Sequence, residues 1–279
     1  MTAPSILLKA WAIHPRKSMG QHFLADPNVA TMIVRQSQFG SNDTVLEIGA
    51  GLGALTVPLS GRVNHLLAVE SDRKLATLLR NEILAAGVSN VTVIEKDILR
   101  CDINNLAKAS DRPLKVAGNL PYHISSQILI HLINFRESID RAVLMFQKEV
   151  AERLLAKPGT KAYGRLSVLI QYCAKVYPIA HVGASSFYPR PKIDSRVVSV
   201  EFFDSAPFRA TDEVFFSGII RAAFGKRRKM LKNALVNSDL GLEERRVLAA
   251  FDLANIDPRR RAETLSVQEF VTLANLLKD

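Results

Sequence analysis

Cysteine is almost absent. Only Cys101 and Cys173 occur among 279 residues. Two distant thiols form neither a disulfide framework nor a metal-ligand spacing, so no metal is expected and a reducing, cytoplasmic setting fits. Long apolar runs are missing as well. No stretch approaches the ~18 residues of a membrane helix. The apolar patch at 6–13 is short and broken by Lys9, unlike a secretory leader, and no membrane association is expected. Internal repeats and low-complexity tracts are lacking, which sets aside solenoids and disordered arrays. Acid is missing from one segment. From Arg221 to Lys232 the chain carries Arg221, Lys226, Arg227, Arg228, Lys229 and Lys232 without one carboxylate.

Lysine and arginine together number 37 against 27 acids, a net charge of +10. That excess suggests a polyanionic partner, of which nucleic acid is the commonest, although many basic cytosolic proteins bind none. The length exceeds one small core and points to a large domain with a smaller companion. From Thr44 onward, short β-branched runs alternate with helical periods. Strands are expected at 44–48, 65–69, 91–95, 114–118, 141–146, 173–182 and 196–203. Helices are expected at 73–86 and 126–134, the second capped by Ser125 or Ser126. Such alternation implies parallel βαβ units in a doubly wound sheet, closed by an antiparallel hairpin of the last two strands. After Phe203 only helical periods follow, at 213–224, 226–237, 242–251 and 266–278, with a capping-box spacing from Ser266 to Glu269. The expected division is 1–205 for an α/β domain and 206–279 for a small all-α one.

The first strand runs into Gly49-Ala50-Gly51-Leu52-Gly53, where a backbone without side chains passes close beneath a ligand at the strand ends. Gly49-x-Gly51-x-x-Ala54 also satisfies a dinucleotide fingerprint, so a nicotinamide enzyme stays open at this point. Both alternatives expect an acid at the next strand end, supplied by Glu70. Glu47, two residues ahead of the first glycine, suits a pyrophosphate poorly. Asp97 ends the third strand, placed to accept from an adenine amino group. Either acid alone reads equally well as a helix cap; the ordered series favours a nucleoside pocket.

Glu47-x-Gly49-x-Gly51-x-Gly53, Glu70 and Asp97 resemble the pocket of S-adenosylmethionine-dependent methyltransferases. Asn119-Leu120-Pro121-Tyr122, after the fourth strand, is similar to the signature of those that methylate adenine on its exocyclic nitrogen. With "MGQHFL", "FQKEVAERL", "KAYGRLSVL", "FYPRPKIDS" and "FGKRRKML" in order, the chain resembles the ribosomal RNA adenine dimethyltransferase family over at least residues 20–235. Leu120 is similar to its small-subunit, ribosome-maturation branch. The macrolide-resistance branch, acting on large-subunit RNA, more often has isoleucine there.

The resemblance implies a seven-stranded Rossmann-like methyltransferase sheet and S-adenosylmethionine as cofactor. It implies dimethylation of N6 on two adjacent adenosines near the 3′ end of 16S ribosomal RNA, with the small ribosomal subunit as partner and a monomeric enzyme. Cofactor contacts are implied for His22, Leu24, Gly49, Gly51, Glu70, Asp97, Ile98 and Asn119. Where the family usually has asparagine this chain has His22, which either takes over a contact to the cofactor's methionine end or packs in the N-terminal arm. Chemistry is implied for Asn119, Leu120, Tyr122 and Phe187. The Asn119 side-chain oxygen and the Leu120 carbonyl accept the two amine hydrogens, while Tyr122 and Phe187 hold the flipped base between ring faces. Lys192 either holds a phosphate or is solvated. The Arg221–Lys232 cations are read as an RNA-facing helix, with Arg221, Arg228 and Lys232 near one face. A non-catalytic nucleic-acid-binding relative is the rival from another class.

Overall fold

In the computed structural model, residues 2–16, 19–108, 110–226 and 229–278 are described. Nine strands form: β1 Phe23–Leu24, β2 Thr44–Ile48, β3 His65–Glu70, β4 Val91–Glu95, β5 Leu114–Asn119, β6 Ile139–Gln147, β7 Ala174–Val182, β8 Phe187–Tyr188 and β9 Ser195–Phe202. Seven of them make one sheet in the order β4-β3-β2-β5-β6-β9-β7, and β1 pairs with β8 separately. The pairs β2–β3, β3–β4, β2–β5 and β5–β6 are parallel, and β6–β9 is antiparallel. This is the doubly wound, mostly parallel sheet that the strand–helix alternation predicts. All five residues of β2 are buried, as befits a strand covered on both faces.

Strand order reverses between β2 and β5. β3 and β4 continue to one side of β2, while the chain returns to place β5 on the other. Such a switch point opens a crevice beyond the carboxyl ends of the two strands, and ligands of open α/β sheets bind there. Both signature segments, 49–53 and 119–122, leave the sheet at this crevice.

The helices are α1 Pro4–Ala10, α2 Pro27–Ser37, α3 Thr56–Ser60, α4 Arg73–Ala85, α5 Ile103–Ala107, α6 Ser125–Asn134, α7 Lys148–Leu155, α8 Arg165–Cys173, α9 Glu213–Gly225, α10 Leu231–Val236, α11 Glu244–Leu253 and α12 Val267–Lys278. Among the described residues no helix is long and apolar enough to cross a membrane. Two local expectations change. Ser125 does not cap α6 but opens it, and its hydroxyl donates to the Tyr122 carbonyl at 3.2 Å. The basic helix expected at 226–237 begins only at Leu231. Its first amide is held by the Arg260 carbonyl at 2.8 Å, and α9 has already ended at Gly225. At α12 the capping box forms as its spacing predicts: Glu269 accepts from the Ser266 amide at 2.7 Å, and Ser266 Oγ from the Glu269 amide at 3.2 Å.

The chain packs as two compact units, Met1–Ala151 with Tyr177–Phe202, and Glu152–Val176 with Phe203–Asp279. The single cut expected after residue 205 therefore gives way to a second unit that recruits an earlier segment. Side-chain packing explains the recruitment. Tyr172 lies 4.6 Å from the Phe216 ring, and its hydroxyl donates to Glu213. Tyr163 meets Phe224 edge-on at 6.3 Å. These aromatics join Phe251 and Phe270 in a helical core.

Candidate active site

The loop after β2 is built on left-handed backbone. Gly51 has φ +55°, and a Cβ there would stand 3.3 Å from the Phe23 ring. Its amide donates to Glu70 Oε2 at 2.9 Å, while the Asp72 amide donates to Oε1 at 2.8 Å. Glu70, at the end of β3, thus ties the glycine loop to the start of α4, which Asp72 caps. Burial pushes the Glu70 carboxyl above its usual range, and these backbone donors oppose the shift. Each oxygen keeps a second lone pair for a ligand hydroxyl.

Asp97 closes the third strand end and caps the turn at Ile98–Arg100, accepting from the Leu99 amide at 3.0 Å. At the end of β5 stands Asn119. Its Nδ2 donates to the His22 carbonyl at 2.9 Å. A carbonyl can only accept, so this bond assigns the amide's orientation and leaves Oδ1 as the acceptor offered to the crevice. Gly118 just before it has no room for a side chain: a Cβ would come within 2.8 Å of the Ile48 carbonyl. The two signature loops therefore leave the sheet back to back.

Tyr122 is held at both ends. Its hydroxyl bonds Ser195 Oγ at 2.7 Å, and its ring stacks on His22 with centroids 5.4 Å apart and planes 26° apart. Desolvation raises the phenol above its ordinary value, against the pull of the Ser195 bond. His22 is fixed in turn, its Nδ1 lying 2.7 Å from the Pro189 carbonyl. These groups line a cavity of about 320 Å³, bounded by residues 19–23, Gly49, Gly51, Glu70, Ser71, Leu75, Asp97, Leu99 and 119–124. That volume falls at the lower end of the small-ligand range of ~300–1,000 Å³. Its glycine floor, its acids at successive strand ends and its Asn119 acceptor fit a nucleoside carrying a cationic group.

Glu47 sits beneath the loop, 2 % exposed. Burial pushes its carboxyl up to about 8. Its Oε2 and the Thr56 hydroxyl are both buried without a hydrogen-bond partner. The neighbouring Thr56 hydroxyl pulls against the upward shift, although it stands outside hydrogen-bond geometry, and the charge of Glu70 adds to it. A second cavity of about 30 Å³ touches Glu47, Gly49, Gly51 and Asn119.

Most expected residues come together at the crevice: His22, Gly49, Gly51, Glu70, Asp97, Asn119, Leu120 and Tyr122. Three do not line the main cavity. Leu24 and Phe187 face each other across the β1–β8 ladder and belong to the hydrophobic core, so Phe187 offers no open ring face. Ile98 is buried at the turn, and its neighbour Leu99 lines the cavity instead. Sequence reasoning did not find Ser195 as the anchor of Tyr122, although it is the last residue of the quoted "FYPRPKIDS". The role of the Pro189 carbonyl carried no signal in side-chain pattern.

The basic segment is more internally engaged than its composition suggests. Arg221 pairs with Asp239 at 2.9 Å, Lys232 with Glu244 at 2.6 Å, and Lys226 Nζ donates to the Asn237 carbonyl at 3.0 Å. Lys229 is exposed in the turn between α9 and α10, while Arg227 and Arg228 lie outside the described residues. Among the described residues no cluster of His, Cys, Asp or Glu could hold a metal ion.

Comparison with known proteins agrees with this geometry. The profile of "Ribosomal RNA adenine dimethylase" matches residues 13–279. A "Ribosomal RNA small subunit methyltransferase A" of Desulforapulum autotrophicum is 47 % identical over 277 residues, covering 99 % of this chain and 97 % of that one. The protein of the same name from Moorella thermoacetica is 41 % identical, covering 98 % and 96 %. Among solved structures, a dimethyladenosine transferase from Plasmodium falciparum superposes with a TM-score of 0.74 at 28 % identity, over 90 % of this chain and 96 % of that one. The 23S rRNA methyltransferase ErmE superposes at 0.68 with 23 % identity over 92 % and 100 %, a likeness of fold alone. By profile, relatives and fold together, the chain belongs to the ribosomal RNA adenine dimethylase family.

Proposed function

We propose that the protein dimethylates N6 of two neighbouring adenosines near the 3′ end of 16S ribosomal RNA, with S-adenosylmethionine as donor, during maturation of the small subunit. The observation that carries this is Asn119, whose amide nitrogen is spent on the His22 carbonyl. Its oxygen is thereby presented as an acceptor in the cavity lined by Gly49, Gly51, Glu70 and Asp97.

Glu70 would accept from the ribose hydroxyls with the lone pairs left over from the Gly51 and Asp72 amides, and Asp97 from the adenine amine. When bound, S-adenosylmethionine supplies an electrophilic methyl group on a sulfonium leaving group. Adenine's exocyclic amine is a poor nucleophile, because its lone pair is delocalised into the ring. Acceptors on both N–H groups, Asn119 Oδ1 and the Leu120 carbonyl, favour a tetrahedral nitrogen and free that pair. Tyr122 presents to the target base the ring face that His22 leaves open. The Ser195 bond holds that ring still, so alignment is supplied before the base arrives. The base must leave its stack to reach this ring.

RNA contact in the second unit would fall to Lys229, with Arg221, Lys226 and Lys232 exchanging their present partners for phosphates. Exposed ion pairs are worth only ~0–1 kcal/mol, so such an exchange costs little. The name shared by the relatives from Desulforapulum autotrophicum and Moorella thermoacetica supports the small subunit as target. The test is transfer of labelled methyl from the cofactor to purified undermethylated ribosomal subunits. Label is expected in small subunits and not in large ones; label confined to large subunits, or none in either, overturns the proposal.

A further inference from the structure

We infer that the turn from Tyr188 to Ile193 receives the single-stranded RNA beside the target base, with a flanking base stacked on the Tyr188 ring and phosphates on Arg190 and Lys192. The inference rests on the proposed function and extends it. Both ends of the turn are fastened to the wall of the crevice. At one end the Pro189 carbonyl lies 2.7 Å from His22 Nδ1, and at the other Ser195 Oγ bonds the Tyr122 hydroxyl at 2.7 Å. A phenol oxygen lies in the plane of its ring, so the second bond meets Tyr122 at its edge. The turn therefore flanks the ring and leaves its open face to the target base.

Tyr188 leaves the turn on the side of the main cavity. In the β1–β8 ladder it stands opposite Phe23, and side chains directly opposite share one face of a ladder. Phe23 borders the main cavity, whereas the next pair, Leu24 with Phe187, enters the core. Tyr188 itself does not line the cavity and is 43 % exposed. It is thus an aromatic ring at the rim, outside the space assigned to the cofactor. Tyr177 is equally exposed, but it belongs to β7, an outermost strand of the sheet.

Charge favours the same occupant. Arg190 and Lys192 are exposed and, among the described residues, pair with no carboxylate. Asp194, the acid nearest in sequence, is engaged elsewhere: Oδ1 accepts from the Ala184 amide at 3.0 Å, and Oδ2 lies 3.1 Å from His181 Nε2. In the basic segment, by contrast, Arg221, Lys226 and Lys232 already hold partners. An exposed ring beside unpaired cations suits a single strand, because every base has a face to stack and every nucleotide a phosphate. A duplex buries its base faces in its own stack. Extruding the target base already opens that stack at the crevice.

The test measures single-turnover methyl transfer against the concentration of undermethylated small subunits, with cofactor calorimetry alongside. Tyr188→Ala should raise the half-saturating concentration about tenfold, as loss of one base–aromatic stack does, and leave the saturating rate within about threefold of the parent. Tyr188→Phe keeps the ring face and should match the parent. Arg190→Ala should flatten the log–log salt dependence of subunit binding by roughly 0.7, as one phosphate contact to a single strand does. Cofactor affinity should be unchanged in all three. With p-azidophenylalanine in place of Tyr188, irradiation should crosslink the chain to RNA within a few nucleotides of the target adenosines. A crosslink to a ribosomal protein or to a distant RNA segment overturns the inference. So does subunit binding by Tyr188→Ala and Arg190→Ala equal to that of the parent. If Tyr188→Ala also loses cofactor affinity, the ladder has been disturbed, and Arg190→Ala with the crosslink decides. A parent chain that methylates no small subunits brings down the proposed function and this inference with it, whereas methylation by the parent with either negative result overturns this inference alone.

Discussion

Charge is handled differently in the crevice and in the basic segment. Around the crevice, Glu70 and Asp97 accept backbone amides at fixed places. In the segment from Arg221 to Lys232, Arg221 and Lys232 pair with carboxylates of exposed side chains. Backbone-anchored charge cannot move without moving the fold, and burial strengthens whatever it touches. Side-chain pairs in solvent are exchangeable and weak. The first arrangement suits chemistry that depends on fractions of an ångström; the second suits a polyanion whose phosphates need only be near.

The sharpest break should come at Asn119. Asn119→Ala is expected to lower methyl transfer by about 10²–10³-fold, the size of losing one well-placed polar group in a reacting site. Small-subunit binding should remain close to normal. A near-normal single-turnover rate would show that the amide is not the acceptor.

Next comes Glu47, whose Oε2 is buried without a hydrogen-bond partner among the described residues. Folding raises its pKa from the ordinary 4.5 to about 8, so the folded chain holds more protons than the unfolded one between those values. Stability should therefore decline as pH rises through that window. Glu47→Gln should remove roughly 2 kcal/mol of that decline between pH 6 and 8, read by urea unfolding of the two proteins at those values. Parallel pH dependences in the two would mean that Glu47 is ionised throughout.

Glu70→Ala should weaken cofactor binding by about 1.5–3 kcal/mol, the range for hydrogen bonds to a charged group. Calorimetry with unchanged affinity would move the ribose contact elsewhere.

The smallest effects belong to the basic segment. Lys229→Ala and Lys232→Ala should each change stability by less than about 1 kcal/mol. Each should flatten the log–log salt dependence of subunit binding by roughly 0.7–0.9, as one phosphate contact does. Equal slopes in parent and variants would remove these lysines from the RNA interface, and the comparison would lose its second half.

The same contrast marks what could be read from the chain before folding. Strand ends, glycine loop, Glu70 and Asp97 are legible because each follows from local period and spacing, whereas Asn119 is legible only through the resemblance its segment carries. The parts missed depend on partners far away. Tyr122 and Ser195 lie 73 residues apart, and His22 and Pro189 lie 167 apart. Phe187 looked like a base platform until β8 paired with β1 and turned its ring into the core. Helices α7 and α8 were likewise not assigned in advance. Tyr163 and Tyr172 find their ring partners only in α9, well beyond the window of a local pattern. The basic helix was misjudged for the opposite reason: a uniform local composition hid the break after Gly225, and the acids that pair with it lie outside the run.

The ladder between β1 and β8, with the His22–Pro189 bond beside it, has a consequence for how the protein is born. Translation delivers Phe23 long before Tyr188. At about 5–20 residues per second the interval is roughly ten to thirty seconds. Within that time the glycine loop and the Asn119 strand are made and can assemble, yet nothing clamps the imidazole or braces the wall in front of it. The nascent chain thus acquires a nucleoside-shaped recess early and a finished catalytic wall late. An arrested or truncated chain ending before residue 188 should display the first without the second.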